Sequence, residues 1–228
     1  MSLDRNFHQN AGIAIGPILF VIAILAVLVG ALAAGSGGFG SSTADDAKRV
    51  QATTLIQQGT TIKSAMDRLL VQGFDTTSII VSPTFTTGNA EGALFAPAGG
   101  GLTPQVPPAN IIAASAAWGY VPAANLPGIG STGANDFITL IEVKDTSVCK
   151  ALNSVIFGRT ATQTTTIPAP SSAATITNAA VTASDGVAAT GNAADLSGIA
   201  SLSGRTQGCF SDGGTTPKFY YYQILSAG

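Results

Sequence analysis

The sequence contains two cysteines, and their number suggests that they form a disulfide bond. Cys149 and Cys209 both lie in the C-terminal half of the 228-residue chain. In an oxidising compartment they would form one disulfide, closing a loop of about 61 residues and constraining the unfolded chain by roughly 4 kcal/mol. The alternative is a pair of unpaired buried thiols. Because two is the smallest even number and both lie in one segment, the sequence favours the disulfide.

The sequence contains no set of residues with the spacing of a catalytic or metal site. His8 is the only histidine, and it precedes a long apolar run. The HExxH, GxSxG, Walker A and Cys/His metal-binding patterns do not occur. We therefore expect no catalytic, cofactor-binding or metal-binding residues, and we predict that the chain is not an enzyme.

The segment 128–133 (GIGSTG) matches the GxGxxG pattern of dinucleotide-binding loops. Such a loop must follow a strand and open a helix. Here Pro127 precedes the pattern and a strand-like sequence follows it. The context favours an ordinary glycine-rich loop.

Carboxylates are sparse, and each has a simple structural interpretation. Asp45 and Asp46 stand where we expect a helix to begin, and their charges would interact favourably with the helix dipole. Asp212 is followed by two glycines, which is typical of a turn. Calcium binding by loop carboxylates stays open, although the D-x-D-x-D pattern is absent.

Aromatic residues cluster near the C-terminus. Tyr220, Tyr221 and Tyr222 would alternate between the two faces of a strand. Core packing with one exposed ring is a better interpretation than a ligand platform. For Trp118 and Tyr120, the sequence leaves both a surface contact and a core position open.

The low charge content excludes one class of partner. The formal net charge is −2, and only 10% of residues are charged, against about 25% in typical soluble domains. Because no basic stripe is present, we expect neither nucleic acid nor an anionic lipid surface as a partner.

An uncharged apolar run covers residues 13–34 (IAIGPILFVIAILAVLVGALAA) behind a short polar segment, residues 1–12. At about 1.5 Å per residue, a helix over this run would be roughly 33 Å long, enough to cross a hydrocarbon core of about 30 Å. It could be a cleaved export signal, with Ala31-Leu32-Ala33 as an A-x-A site, a permanent anchor, or the packing spine of a filament subunit.

A glycine-rich break over 35–42 separates this run from an amphipathic helix that we place over 43–72. Within that helix the apolar positions follow helical spacing and Gly59 fills a gap in the stripe. The stripe consists of Leu55, Ile62, Met66 and Leu69. Gly73 is expected to end the helix.

A β-rich head is expected over 73–228. Its first part, up to residue 135, is interrupted by prolines, so we expect loops with short strands such as 78–81 and 111–113. We expect the Thr/Ala/Ser tract over 159–205 to form a surface excursion, a long exposed loop that is partly ordered at best.

The firmest predictions of the head lie around the two cysteines. They are a strand over 137–143, a short helix capped by Asp145 or Thr146 and ending near Phe157–Gly158, and a closing hairpin of 207–210 with 218–225. The predicted fold class is α+β. A hydrophobic helix continues, through the glycine-rich break, into an amphipathic helix on a small antiparallel sheet with a disulfide-closed C-terminal region.

This organisation resembles the type IV pilin and pseudopilin superfamily over nearly the whole chain, apart from the 159–205 tract. The features that carry the resemblance are Gly12 before the apolar run, the amphipathic helix over 45–70, and the segments DFITLIEV, VCKALN, GCF and FYYYQIL. The family usually has glutamate at the fifth mature position, where this chain has Pro17, and phenylalanine or methionine at the first, where it has Ile13.

The resemblance implies a structural subunit of an extracellular filament or a periplasmic pseudopilus. Prepilin peptidase would cut after Gly12, and the new amine of Ile13 would be methylated. Before assembly the subunit would reside in the inner membrane, and the pilus assembly machinery would then incorporate it into a helical homo-oligomer. Small side chains would allow close packing of the N-terminal helices. The residues assigned to this assembly helix are Ile13, Pro17, Phe20, Ala23, Ala26 and Gly30.

The alternative is a membrane-anchored or secreted surface protein without catalytic activity, whose N-terminus only directs export. The two alternatives differ in where the mature chain begins. A filament subunit would begin at Ile13, an exported soluble protein near Ala34, and an anchored protein at Met1.

Overall fold

The computed structural model describes residues 39–84, 87–130, 136–171, 176–177 and 193–228. Residues 46–228 form one unit and residues 1–45 another; apart from the start of the first helix, the account below concerns residues 46–228. The predictions for the leader, the apolar run and residues 35–38 lie outside the described residues. Among the described residues, no helix has both the length and the apolar character needed to cross a bilayer.

The first helix, α1, runs from Phe39 to Val71. It begins four residues before the predicted start, so residues 39–42 of the expected glycine-rich break are helical. Once a helix is nucleated, each further residue adds a hydrogen bond at low cost, which allows a few poor helix formers at the end. Asp45 and Asp46 therefore lie beyond the first turn, and our assignment of both to the helix dipole was wrong.

The segment after α1 contains less regular structure than we expected. The predicted strands over 78–81 and 111–113 reduce to single bridges, from Ile80 to Ala93 and from Ile112 to Val143. A short 3-10 helix, Thr87–Gly92, lies between the two.

Strand β1, Gly119–Asn125, was not predicted because Pro122 lies inside it. Its pairing with the next strand shifts register between Val121 and Ala124. A proline fits within a strand at such an irregularity because it needs no donor for the ladder there.

The predictions around the cysteines are confirmed. Strand β2 is Asp136–Val143, and helix α2 is Thr146–Ile156, with Asp145 as its N-cap. Gly158 follows the helix with φ 91°, a conformation that favours glycine. Short elements follow, and β5 and β6 form the antiparallel hairpin that closes the chain. These later elements are α3 Thr162–Thr165, β3 Ile176–Thr177, β4 Ala193–Asp195, a 3-10 helix Ala200–Leu202, β5 Gln207–Ser211 and β6 Phe219–Ser226.

The six strands form one sheet in the order β3-β4-β1-β2-β6-β5. The α+β class is confirmed, but the sheet is mixed, since β1 and β4 run parallel. Both of its faces are buried. Helices α1 and α2 cover one face, here called the helix face, where Phe137, Ile141 and Tyr221 point. The opposite face carries Ile138, Leu140 and Tyr222.

The second face is covered by a part of the tract that we expected to be a surface excursion. Leu196, Ile199 and Leu202 are at most 1% exposed and pack on Tyr220 and Tyr222. That expectation was wrong for residues 196–202, while residues 172–175 and 178–192 of the tract lie outside the described residues. The three tyrosines are all buried, so the expected exposed ring is absent.

Candidate functional site

A disulfide joins helix α2 to strand β5, as the sequence indicated. Cys149 and Cys209 are bonded, with their Cα atoms 5.4 Å apart, and both are fully buried. The bond ties the short helix to an outer strand of the sheet. Because β5 pairs with β6 alone in this sheet, its other edge needs different partners.

Asn153 supplies partners for that edge. It lies one helical turn after Cys149, so its side chain points toward the same strand. Its Oδ1 accepts from the backbone N–H of Cys209 at 2.8 Å, and its Nδ2 donates to the carbonyl of Cys209 at 3.0 Å. The same Nδ2 donates to the carbonyl of Gln163 at 2.9 Å. The amide thus pairs with the strand as another peptide group would.

The start of α2 is connected to α1 through its capping residue. Asp145 Oδ1 accepts from the backbone N–H groups of Ser147 and Val148 at 2.8 and 3.1 Å. Lys48 of α1 donates to the Ser147 hydroxyl at 2.9 Å. Partial burial raises the pKa of the Asp145 carboxyl, but the hydrogen bonds from Ser147 and Val148 and the charge of Lys48 outweigh burial and lower it overall.

The side chain of Tyr221 extends from strand β6 toward α1, and its position explains why Gly59 interrupts the apolar stripe of that helix. A Cβ atom at Gly59 would lie 2.9 Å from the Tyr221 hydroxyl oxygen. The hydroxyl itself donates to Gln207 at 3.2 Å, and the ring contacts Trp118 edge-on at 6.0 Å between centroids. The glycine therefore allows the close approach of helix and tyrosine.

A groove on the helix face, here called the Trp118 groove, has a volume of about 230 Å³. Its walls come from α1, from a proline-containing loop (residues 102–107), from residues 116–118 before β1, and from β1 itself. The indole Nε1 of Trp118 is buried and has no hydrogen-bond partner among the described residues. The lining residues include Ile62, Phe95, Leu102, Pro104, Trp118 and Tyr120. For the two residues whose position the sequence left open, Tyr120 is buried in the core of this face, and Trp118 is partly buried and packs against that core.

The four tyrosines of the chain share one electrostatic feature. Burial raises the pKa of Tyr120, Tyr221 and Tyr222. For Tyr220, burial and the neighbouring charges of Glu142 and Asp212 raise the pKa to about 12. A buried phenol resists ionisation because its anion loses hydration.

The remaining candidate residues occupy structural positions. Asp212 accepts from the backbone N–H groups of Gly214 and Lys218, as a turn residue would. Gly128 and Gly130 lie in a loop with positive φ, and the next element among the described residues is strand β2 rather than a helix. Within the described ranges, no three His, Cys, Asp or Glu residues are close enough to hold a metal ion.

The residues assigned to processing and assembly lie outside the described residues. These are Gly12, Ile13, Pro17, Phe20, Ala23, Ala26 and Gly30. Asn153 was missed, although its position one turn after a cysteine on an amphipathic helix was a usable signal. No protein family, curated protein or solved structure matches this chain.

Proposed function

We propose that this chain is the structural subunit of a type IV pilus-like filament or pseudopilus, assembled through its N-terminal helices. The proposal combines a sequence feature with a structural one. Residues 13–34 are apolar and uncharged, and helix α1 begins at Phe39, only a few residues later. A long helix therefore follows closely after an apolar segment whose exposure to water is unfavourable.

The observation that carries the proposal is the distribution of burial along α1. The side chains of residues 45–51 are exposed or half-buried, and Val50 is 68% exposed. Full burial begins at Ala52 and continues through Leu55, Ile62 and Met66. The part of the helix from Ala52 onward therefore packs into the head, while none of the side chains of residues 45–51 is fully buried.

Such a division suits a subunit that packs by its N-terminus. An apolar helix stored in a bilayer would leave it for a filament core, where equivalent helices bury each other's apolar surface. The small residues Ala23, Ala26 and Gly30 would allow close approach. The head would then coat the filament, and its disulfide would stabilise it outside the reducing cytoplasm.

The test is the mature N-terminus of the protein from its native cells, by intact mass and sequencing of the N-terminal peptide. We expect a chain that begins at Ile13 and carries one additional methyl group. Gly12→Val should block the cleavage and abolish labelled filaments in negative-stain micrographs of sheared surface material. Gly88→Val is the matched control, because a Cβ at Gly88 meets nothing within 4 Å.

Other outcomes would contradict the proposal in distinct ways. A mature chain beginning near Ala34 would indicate an ordinary export signal and a secreted surface protein. Retention of Met1 together with the absence of labelled filaments would indicate a membrane-anchored protein. Either result would favour the alternative of a non-catalytic binding or surface protein.

A further inference from the structure

The proline-containing loop (residues 102–107) lies mostly at the surface of the head. Only its first residue, Leu102, is buried. Residues 103–106 are exposed, and Val106 is 88% exposed. A segment with few buried side chains opens locally at a low cost in free energy, without unfolding of the whole domain.

One hydrogen bond fastens the exposed part of this loop. The Nε2 of Gln58 on α1 donates to the carbonyl of Val106 at 3.1 Å. In the part of the chain that the structure describes, residues 103–107 make no other hydrogen bond. Pro104 and Pro107 have a fixed φ and no N–H, which stiffens the segment. Opening therefore breaks one hydrogen bond and moves the segment as one piece.

The residue that fastens the loop is itself incompletely paired. Gln58 is only 7% exposed, and its Oε1 is buried without a hydrogen-bond partner among the described residues. The indole Nε1 of Trp118 is buried and unpaired in the same way. An unpaired buried polar atom is unfavourable because water no longer solvates it. Gln58 thus lacks a donor for its oxygen, and Trp118 lacks an acceptor for its N–H.

Gln58 and Trp118 belong to one neighbourhood of the helix face. Trp118 lines the Trp118 groove together with Val106, whose carbonyl Gln58 binds. A second set of contacts leads to the same place, since the Trp118 ring meets the Tyr221 ring edge-on. Tyr221 in turn lies against Gly59, the residue that follows Gln58 on α1. The unpaired acceptor and the unpaired donor are therefore connected through shared neighbours.

We propose that Gln58 is a two-position switch that fastens and releases the proline-containing loop. The structure shows the closed state, in which Nε2 holds the Val106 carbonyl. In the open state the loop detaches, water solvates that carbonyl, and the released amide turns so that its Oε1 accepts from the Trp118 indole N–H. One hydrogen bond replaces another, which keeps the two states close in free energy. This inference rests on the head alone and does not depend on filament assembly.

The first test uses the parent chain, in which Trp118 is the only tryptophan. The nitrogen-15-labelled full chain, kept in micelles of a mild detergent, gives one indole N–H signal whose exchange with deuterium is followed by NMR. We expect the exchange rate to stay constant up to about 1 M urea, because local opening exposes little surface. A rate that rises with urea in step with the slowest backbone amides would mean that only global unfolding frees this N–H, and would overturn the proposal.

Two substitutions separate the two roles of the Gln58 amide. Gln58→Leu has neither a donor nor an acceptor, whereas Gln58→Glu at about pH 8 is ionised and can only accept. Neither variant can hold the Val106 carbonyl, so both should raise the acrylamide quenching constant of Trp118 fluorescence at least twofold. The indole proton signal should lie further downfield in Gln58→Glu than in Gln58→Leu, because only the glutamate offers the alternative acceptor.

Gln57→Leu is the matched control, since it makes the same change at the adjacent, exposed position of α1. It should leave both the quenching constant and the indole signal unchanged. Unchanged quenching in Gln58→Leu would show that Gln58 does not hold the loop. Equal indole shifts in the two Gln58 variants would show that Gln58 is not the second partner of Trp118. Either result would overturn the proposal, and the exchange measurement on the parent chain decides it even where a variant does not fold.

Discussion

The side-chain amide of Asn153 pairs with both backbone groups of Cys209, accepting from its N–H at 2.8 Å and donating to its carbonyl at 3.0 Å. The disulfide from Cys149, one turn earlier on the same helix, reaches the same residue of β5. One covalent bond and two hydrogen bonds thus hold the outer strand against α2. A second contact on the outer edge of β5 is the hydrogen bond from the Ser211 backbone N–H to the carbonyl of Pro168 at 2.8 Å.

Replacing Asn153 with alanine should lower the free energy of unfolding by roughly 2–3 kcal/mol. The substitution leaves the buried N–H and carbonyl of Cys209 without partners, and each unpaired buried group costs about 1–3 kcal/mol. Urea unfolding at neutral pH measures the change. Asn89→Ala, at an exposed position, is the control and should be neutral. Equal effects of the two substitutions would argue against the pairing as a source of stability.

Removing the disulfide should destabilise the head by about 4 kcal/mol, because the bond closes a long loop in the unfolded chain. The double variant Cys149→Ala/Cys209→Ala is compared with the parent chain by thermal unfolding. A thiol reductant should lower the melting temperature of the parent toward that of the variant and leave the variant itself unaffected. A parent chain as unstable as the double variant would show that the bond does not stabilise the fold.

Replacing Gly59 with alanine should destabilise the protein, although alanine is the better helix former by about 1 kcal/mol. The new methyl group would lie 2.9 Å from the Tyr221 hydroxyl oxygen and 3.2 Å from its ring, and overpacking of this kind costs typically 1–3 kcal/mol. Urea unfolding measures the net effect.

Tyr221→Phe removes the nearer of these two contacts. The double variant Gly59→Ala/Tyr221→Phe should therefore be more stable than the sum of the single effects predicts. Thr60→Ala, at an exposed position of the same helix, controls for helix propensity. A stabilising effect of Gly59→Ala would disprove the close contact.

The free energy of unfolding should fall as the pH rises above about 10, the ordinary tyrosine pKa. The folded protein keeps its phenolic protons, because the pKa of every tyrosine is raised, that of Tyr220 to about 12. The unfolded chain releases them, so it binds fewer protons and stability decreases with pH. Below pH 10 both states are protonated and this contribution is fully present.

The expected slope is about 1.4 kcal/mol per pH unit for each tyrosine that ionises only after unfolding. Urea unfolding across the alkaline range gives the slope, and phenolate absorbance reports ionisation directly. Tyr220→Phe should reduce this slope by at most the contribution of one tyrosine, about 1.4 kcal/mol per pH unit. Phenolate formation with a normal midpoint in the folded protein would contradict the burial of these rings.

Several elements could be predicted because their signals are local. The stripe of α1, the cap at Asp145, the stop at Gly158 and the Asp212 turn each depend on residues within a few positions of one another. Strand β1 was missed because a proline normally argues against a strand, and only its pairing with β2 shows the register shift that accommodates Pro122. Leu196 and Leu202 cover the second face of the sheet through contacts with strand residues that are distant in sequence, so no local pattern predicts this coverage.

The amino-acid sequence by itself determined the hydrophobic periodicities, the helix ends, the hairpin and the two cysteines that pair, because each of these follows from short-range backbone chemistry or from a simple count. The tertiary structure alone decided that both faces of the sheet are buried, that Gly59 makes room for Tyr221, that Asn153 completes the edge of β5 and that the indole of Trp118 borders a groove. These relationships join residues tens of positions apart, and their energies depend on which surfaces meet after the chain has folded.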